Sequence, residues 1–384
     1  MGANKSKIGS NILTATLITL LAFGLSLLFS QPLAFSAGAL LQSADKQDFN
    51  MTDFYNIAAD ARPVMALDTN IVVVDIANTT RDDVTDVLEL LGDMNPRAVG
   101  IDITFNEQRE DDERLLEAID RCPNPVLAVG VSAKPTERDT FMVDDFSYFY
   151  PFSRDSRTYG VINLPTKFDG ATVRNFRVDY TEAGGRELPS FALAVARVAD
   201  PQAAKRVEAR ANTVETIDFP SRRFTVIPWT ELPDRPDEID GKIVLVGAIG
   251  ELGDVHRTPV NDKMAGVIIH AHALSTILRD SFYTVAPKFV NILLAFLICF
   301  SLCFTNLQFK SPARGLWFRI YQIAMLYLMI RLGYWLFVDN RTIVDFSYSM
   351  LMLAFGFFAF DLWSGLTHYI KLAYNRIFFN QSHK

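Results

Sequence analysis

Three cysteines in 384 residues are too few for a disulfide framework or a Cys-rich zinc module. Charge is also scarce: Asp, Glu, Lys and Arg together make up 21% of the chain, with no basic stripe of the kind a nucleic-acid binder presents. No nucleic-acid partner is therefore expected. A hydrophobic share of 49% excludes intrinsic disorder. There is no internal repeat and no low-complexity linker. Nucleophile elbow, P-loop, HExxH and GxGxxG patterns are all missing, so the sequence supports no catalytic residue, no metal centre of known ligand spacing and no cofactor. What the chain does have is apolar mass, with a mean hydropathy of +0.14 and 30 Phe.

The net charge of −7 conceals a segregated arrangement. Residues 31–287 hold 26 Lys and Arg against 41 Asp and Glu, about −15, while the rest of the chain holds 11 against 3, about +8. Four nearly charge-free runs frame the acidic block, at 12–30, 289–307, 316–338 and 343–366. The first would measure about 28 Å as a helix, close to the hydrocarbon thickness of a bilayer. It can also be read as a signal peptide, although its length suits a span. Basic residues set the direction. With the N-terminus inside, Lys5, Lys7, Lys310, Arg314, Arg319, Lys371, Arg376 and Lys384 collect on the cytoplasmic side, and only Lys288 and Arg341 collect opposite. The expectation is a multi-pass protein of a bacterial cytoplasmic (inner) membrane, with the lipid bilayer as its surroundings. Cytoplasmic ends at 1–11 and 367–384 then flank four transmembrane helices and an extracytoplasmic domain at 31–287.

That domain reads as one α/β unit with a largely parallel or mixed sheet. The β-branched run at 71–76 predicts a buried strand. Val84, Val87, Leu88 and Leu91 then recur at helical spacing after Thr80, which stands where an N-cap belongs. Strands are predicted at 97–105 and 125–131 with an amphipathic helix at 111–121 between them, the pattern of parallel βαβ crossovers. Further strands are expected at 159–163, 174–180 and 242–249, and helices at 188–199 and 265–280. Alternation in 213–219 and 223–228 suggests a hairpin.

Two stretches resemble the CHASE2 family, the extracytoplasmic sensory domains of bacterial transmembrane receptors. One is AVGIDITFNEQREDDERLLEAI at 98–119; the other, more specific, is GKIVLVGAIGELGDVHRTPVNDKMAGVIIHAHALSTIL at 241–278. The family's usual Trp- and Pro-rich stretch after the first strand is replaced here by IANTTRDDVTD. Members commonly run on into a cyclase or kinase, which the 18 residues after Leu366 cannot hold. The resemblance therefore implies a membrane sensor or sensory subunit that binds an extracytoplasmic ligand and signals through a membrane or cytoplasmic protein partner. A homo-oligomer is compatible with it. An envelope scaffold that transmits nothing and an exported metal-dependent hydrolase stay open beside it.

Candidate site residues gather at predicted strand ends, where α/β sheets bind ligands. Asp102 ends one strand, and Asp254 lies in the turn after another, near Glu107, His256 and His270. Gly247, Gly250 and Gly253 would let the backbone approach a ligand closely, although Asp and Gly in such turns also serve the turn itself. The expected ligand-binding set is Asp102, Asp254, His270, Gly250 and Gly253. His270 and His272 stand two apart on a predicted helix and share no face, so they are not expected to hold one metal. Arg331 within the third apolar run and Asp345 at the start of the fourth are expected to form an ion pair at membrane depth. Cys122, Cys299 and Cys303 are expected to pack as small apolar groups.

Overall fold

The computed structural model describes residues 2–41, 50–61, 66–105, 107, 109–110, 112–132, 141, 157–166, 171–182, 185–220, 222–250, 254–308 and 314–379. The chain divides into two units, Met1–Gln47 with Thr284–Lys384, and Asp48–Tyr283. The first opens with α1 (Gly2–Leu41), whose apolar section covers Lys7–Leu28.

The second unit begins with α2 (Met51–Asp60), β1 (Ala66–Asp75), α3 (Arg81–Asp93), β2 (Ala98–Ile101), α4 (Asp112–Arg121), β3 (Pro125–Val129) and β4 (Thr158–Val161). Four short strands follow as two antiparallel pairs. β5 (Asn175–Arg177) pairs with β8 (Val214–Thr216), and β6 (Asp179–Thr181) with β7 (Glu187–Pro189). Helices α5 (Phe191–Ala199) and α6 (Pro201–Ala209) lie between β7 and β8 in the chain. The unit closes with β9 (Arg222–Pro228), β10 (Ile243–Gly247), β11 (Val255–His256), β12 (Met264–Ala265) and α7 (Gly266–Leu278).

Six strands form one parallel sheet in the order β4-β3-β2-β10-β1-β9. Parallel strands covered on both faces must be apolar throughout, which is why Ile71–Val74 and Ile243–Val246 are unbroken apolar runs. Side chains alternate between two cores. Ile71, Val73, Ile243 and Leu245 meet α5 and α7 on one face, while Val72, Val74, Val244 and Val246 meet α3 and α4 on the other. Val87, Leu88 and Leu91 of α3 are fully buried there, and at about 25 cal/mol per Å² each such side chain contributes roughly 1.5–3 kcal/mol. Thr80 caps α3 with a full capping box: its Oγ1 accepts from the Asp83 N–H, and Asp83 Oδ2 accepts from the Thr80 N–H at 2.7 Å.

The expected α/β architecture with a parallel sheet is the one observed. The hairpin expected from 213–219 and 223–228 does not form. β8 pairs with β5, and β9 lies parallel to β1 at the sheet edge. A half-exposed edge strand alternates just as a hairpin strand does, so periodicity alone does not separate the two. The strand expected at 174–180 divides into β5 and β6, which pair with different partners. Pro189 ends β7 and Ser190 is the N-cap of α5, placing that helix start later than its apolar run. Helices α2 and α6 are additional, each announced by a local signal. Asn50 and Asp53 form a capping box, and Asp200 caps α6 with Pro201 at its first position. Asp53 also forms a bidentate ion pair with Arg174, at 2.6 and 2.7 Å.

The remaining elements of the first unit are β13 (Thr284–Val285), α8 (Lys288–Gln308), α9 (Arg314–Asn340), β14 (Thr342–Ile343) and α10 (Ser347–Phe379), with β13 and β14 parallel. Among the described residues four helical sections are long and apolar enough to cross a membrane: Lys7–Leu28, Lys288–Gln308, Gly315–Asn340 and Ser347–Tyr374. α1, α8 and α10 pack through small residues, namely Ala15 and Ala22, Ala295, Cys299 and Cys303, and Ala359. Arg331 is exposed, and Asp345 accepts a 2.9 Å hydrogen bond from the Ser347 N–H at the start of α10; no ion pair joins the two. A carboxylate placed before a helix finds donors in the helix's first free N–H groups, which satisfies Asp345 locally.

Candidate ligand-binding site

Strands β1, β10 and β2 are neighbours, so their carboxyl ends open into one crevice, and each ends in a residue that shapes it. Asp75 closes β1; its Oδ1 accepts the N–H of Ala77 at 2.9 Å and of Ile249 at 2.8 Å, joining the loops that follow β1 and β10. Gly247 ends β10 beneath α7, where a Cβ would come within 2.7 Å of Val267. Only glycine lets that helix start so close to the strand. Asp102 follows β2, its N–H bonded to the Val246 carbonyl at 2.8 Å.

A cavity of about 410 Å³ occupies this edge. One wall is the turn into α3, Asn78–Arg81, with Asn78 in the left-handed region at φ 61°. The opposite wall is Asp102–Phe105 with Arg109, and Ile76, Val84 and Ala248 supply apolar floor. The cations of this pocket are engaged. Arg81 Nη1 donates to Asp112 Oδ1 at 2.7 Å and to the Glu107 carbonyl at 2.9 Å, with its guanidinium 5.4 Å from the centre of the Phe105 ring. Arg109 pairs with the Glu107 carboxylate at 3.0 Å, and its N–H donates to Asp112 Oδ2. The Asp102 carboxyl, by contrast, has no hydrogen bond or ion pair among the described residues.

Desolvation pushes Asp102 up to about 7, assisted by the negative charge of Asp254 and opposed by His256. Asp254 Oδ2 lies 2.8 Å from His256 Nε2, and that contact holds the Asp254 carboxyl below its usual range. The Asp254 carbonyl accepts from the Gly266 N–H at 2.7 Å, which fixes the loop to the start of α7. One turn along that helix, His270 is buried against Phe191, with ring centres 5.3 Å apart, and burial pulls it down to about 4 despite a hydrogen bond to the Ile162 backbone. His272 is buried in a separate place, between Phe219 and Phe224, and is likewise pulled down to about 4.

The structure thus gathers Asp102, Asp254, His256 and His270 within electrostatic reach of one another, while His272 faces elsewhere. Gly250 lies in the loop after β10 with φ 141°, a conformation only glycine adopts readily; Gly253 lies outside the described residues. Among the described residues no group of three His, Cys, Asp or Glu side chains is arranged to hold a metal ion. Sequence reasoning missed the α3 wall: Asn78, Thr79 and Arg81 were legible only as a helix start. Asp75 carried a usable signal, since it ends a buried strand just as Asp102 does.

No curated protein and no solved structure matches the chain. The model of the CHASE2 domain matches residues 21–304, which include the whole α/β unit and this crevice. With that match, a parallel α/β domain and four helices able to cross a membrane, the chain belongs to the CHASE2 domain family, the sensory domains of membrane receptors.

Proposed function

We propose that the protein is a sensor of the bacterial cytoplasmic membrane whose α/β domain binds a small ligand outside the cytoplasm, in the crevice around Asp102, and passes the event to a membrane or cytoplasmic partner protein. The observation that carries this reading is a carboxyl without a partner among the described residues, lining a cavity of about 410 Å³ in a sensory-domain fold. Partly buried at the cavity wall, this carboxyl has given up some of its hydration, and a ligand that bonds to it restores those contacts, which is a property of binding sites. The site is read as a binding site; among the described residues no group of three His, Cys, Asp or Glu side chains is arranged to hold a metal there.

Transmission requires the ligand to prefer one of two arrangements of the receptor. Helix α10 supports a route to the partner. At 33 residues it extends about 50 Å, some 20 Å more than the hydrocarbon layer requires, and can offer a helical surface beyond it. Both chain ends are assigned to the cytoplasm from the basic flanks of the apolar helices.

Asp102→Asn tests the reading in cells. Loss of the stimulus-dependent response with an unchanged amount of protein in the membrane is expected. If the variant responds normally, the crevice is not the sensory site. A stoichiometric partner that co-purifies from unstimulated cells and is indifferent to the substitution would instead mark a scaffold.

A further inference from the structure

We infer that the crevice takes a small organic monocation, a primary amine on a short apolar body, with its ammonium group against the Asp102 carboxylate. The inference rests on the proposed sensory site and assigns the chemistry of what enters it.

Charge matching inside the cavity supports this. Its two guanidinium groups, from Arg81 and Arg109, already meet carboxylates, Asp112 at 2.7 Å and Glu107 at 3.0 Å. At the start of α3, which otherwise attracts anions, the Thr80 and Asp83 N–H groups are taken by the capping box, and the carboxylates of Asp82 and Asp83 add negative charge to the first turn. Among the described residues lining the cavity, Asp102 is the charge left over. Around it the field is negative, because Asp254 raises its proton affinity more than His256 lowers it, and His270 is buried neutral at ordinary pH. An anion would enter against that field; a cation would relieve it.

Cavity shape separates an amine from a metal ion. A divalent ion needs several oxygen ligands at about 2–2.6 Å, and no such cluster occurs among the described residues. A 410 Å³ space is far larger than an ion and is partly walled by Ile76, Val84, Ile103 and Phe105, which would cover a carbon skeleton.

Proton linkage supplies a readout that a neutral or anionic ligand does not share. Desolvation raises the Asp102 carboxyl to about 7. An ammonium group held against it favours the ionised form, so binding near neutral pH releases protons. A neutral or anionic ligand bonded to the protonated carboxyl would take up protons instead.

Isothermal titration of the full-length protein in nanodiscs, in two buffers of different ionisation enthalpy, tests this. The probes are butylamine and ethanolamine, set against succinate, inorganic phosphate, glucose and Mg²⁺ alone. Saturable amine binding with proton release is expected. Asp102→Asn should weaken it about ten- to hundredfold, and Asp102→Glu, which keeps the charge, should weaken it less. Thermal unfolding of each variant confirms that it is folded. Amine binding that survives Asp102→Asn, or no amine binding at all, overturns the inference. Binding of succinate, phosphate or glucose that depends on Asp102 also overturns it, yet leaves the sensory crevice in place. The crevice itself fails only if Asp102→Asn leaves the cellular response intact.

Discussion

Ser275 Oγ donates a 2.7 Å hydrogen bond to Asp68 Oδ2, joining α7 to the start of β1 across 207 residues of sequence. Both residues are buried, at 3% and 2% exposure. The other Asp68 oxygen accepts from the Asn70 N–H at 3.0 Å, beside the point where the register of β1 against β9 shifts. Ser275→Ala would leave a buried carboxylate oxygen without its donor, a loss of about 1–3 kcal/mol. A lower unfolding midpoint in chemical denaturation is expected. An unchanged midpoint would mean that water replaces the serine hydroxyl.

The membrane helices make a second packing claim. A Cβ on Gly356 of α10 would lie 2.9 Å from Cys299 Sγ of α8 and 3.4 Å from Leu302, closer than side chains sit without displacement. Gly356→Leu should force α8 and α10 apart, at a cost of about 1–3 kcal/mol typical of overpacking. Thermal denaturation in detergent should show a lowered midpoint, while Gly365→Ala, with open space at its Cβ, should not.

Acid sensitivity follows from two buried histidines and the partly buried Asp102, whose effects are opposed in sign. His270 and His272 are pulled from 6.5 to about 4, so the folded protein resists protonating them and loses stability as pH falls from 6.5 towards 4. Asp102 is raised from 3.8 to about 7, so its contribution runs the other way, lost as pH rises through the same window. Two histidines against one carboxyl leave the unfolded chain with one extra proton. Stability should therefore rise by about 1.4 kcal/mol per pH unit between 4 and 6.5 and flatten above 7. Asp102→Asn removes the opposing carboxyl and should roughly double the slope. Hydrogen exchange of the α7 amides across this pH range provides the measurement, and a slope unaltered by the substitution would contradict the upward shift of the Asp102 carboxyl.

The compartment assigned to each region can be mapped by labelling. With the three native cysteines replaced, Gln202→Cys, at an exposed position of α6, should react with an impermeant maleimide in intact cells. Ser382→Cys should react only after the cells are opened. Equal labelling of both positions in intact cells would overturn the orientation drawn from the basic flanks.

Much of the fold was legible because burial on both faces of a parallel sheet demands unbroken apolar strands. The runs ending at Asp75, Ile101 and Gly247 carry that mark, and Thr80 announces α3 through its own hydroxyl. Asp102, Asp254 and His270 could be picked out by their places at strand ends and a helix start. The partnership of β9 with β1 could not, since an edge strand and a hairpin strand expose side chains with the same period. Nor could the pairing of Arg331 with Asp345 be judged from proximity in sequence, because the nearest donor to Asp345 is a backbone N–H two residues on.

The sequence by itself determined the apolar helices, the charge bias across them, the alternation of strand and helix, and the kinship with CHASE2 sensory domains; each is a local or compositional property. Tertiary structure alone decided that β10, 142 residues after β2, is inserted between β2 and β1. That insertion brings the loops of Asp75, Asp102 and Asp254 to one edge, where the Asp102 carboxyl has no hydrogen bond or ion pair among the described residues. Strand order arises from long-range pairing and from which apolar faces can be covered together, and neither is written in the spacing of neighbouring residues.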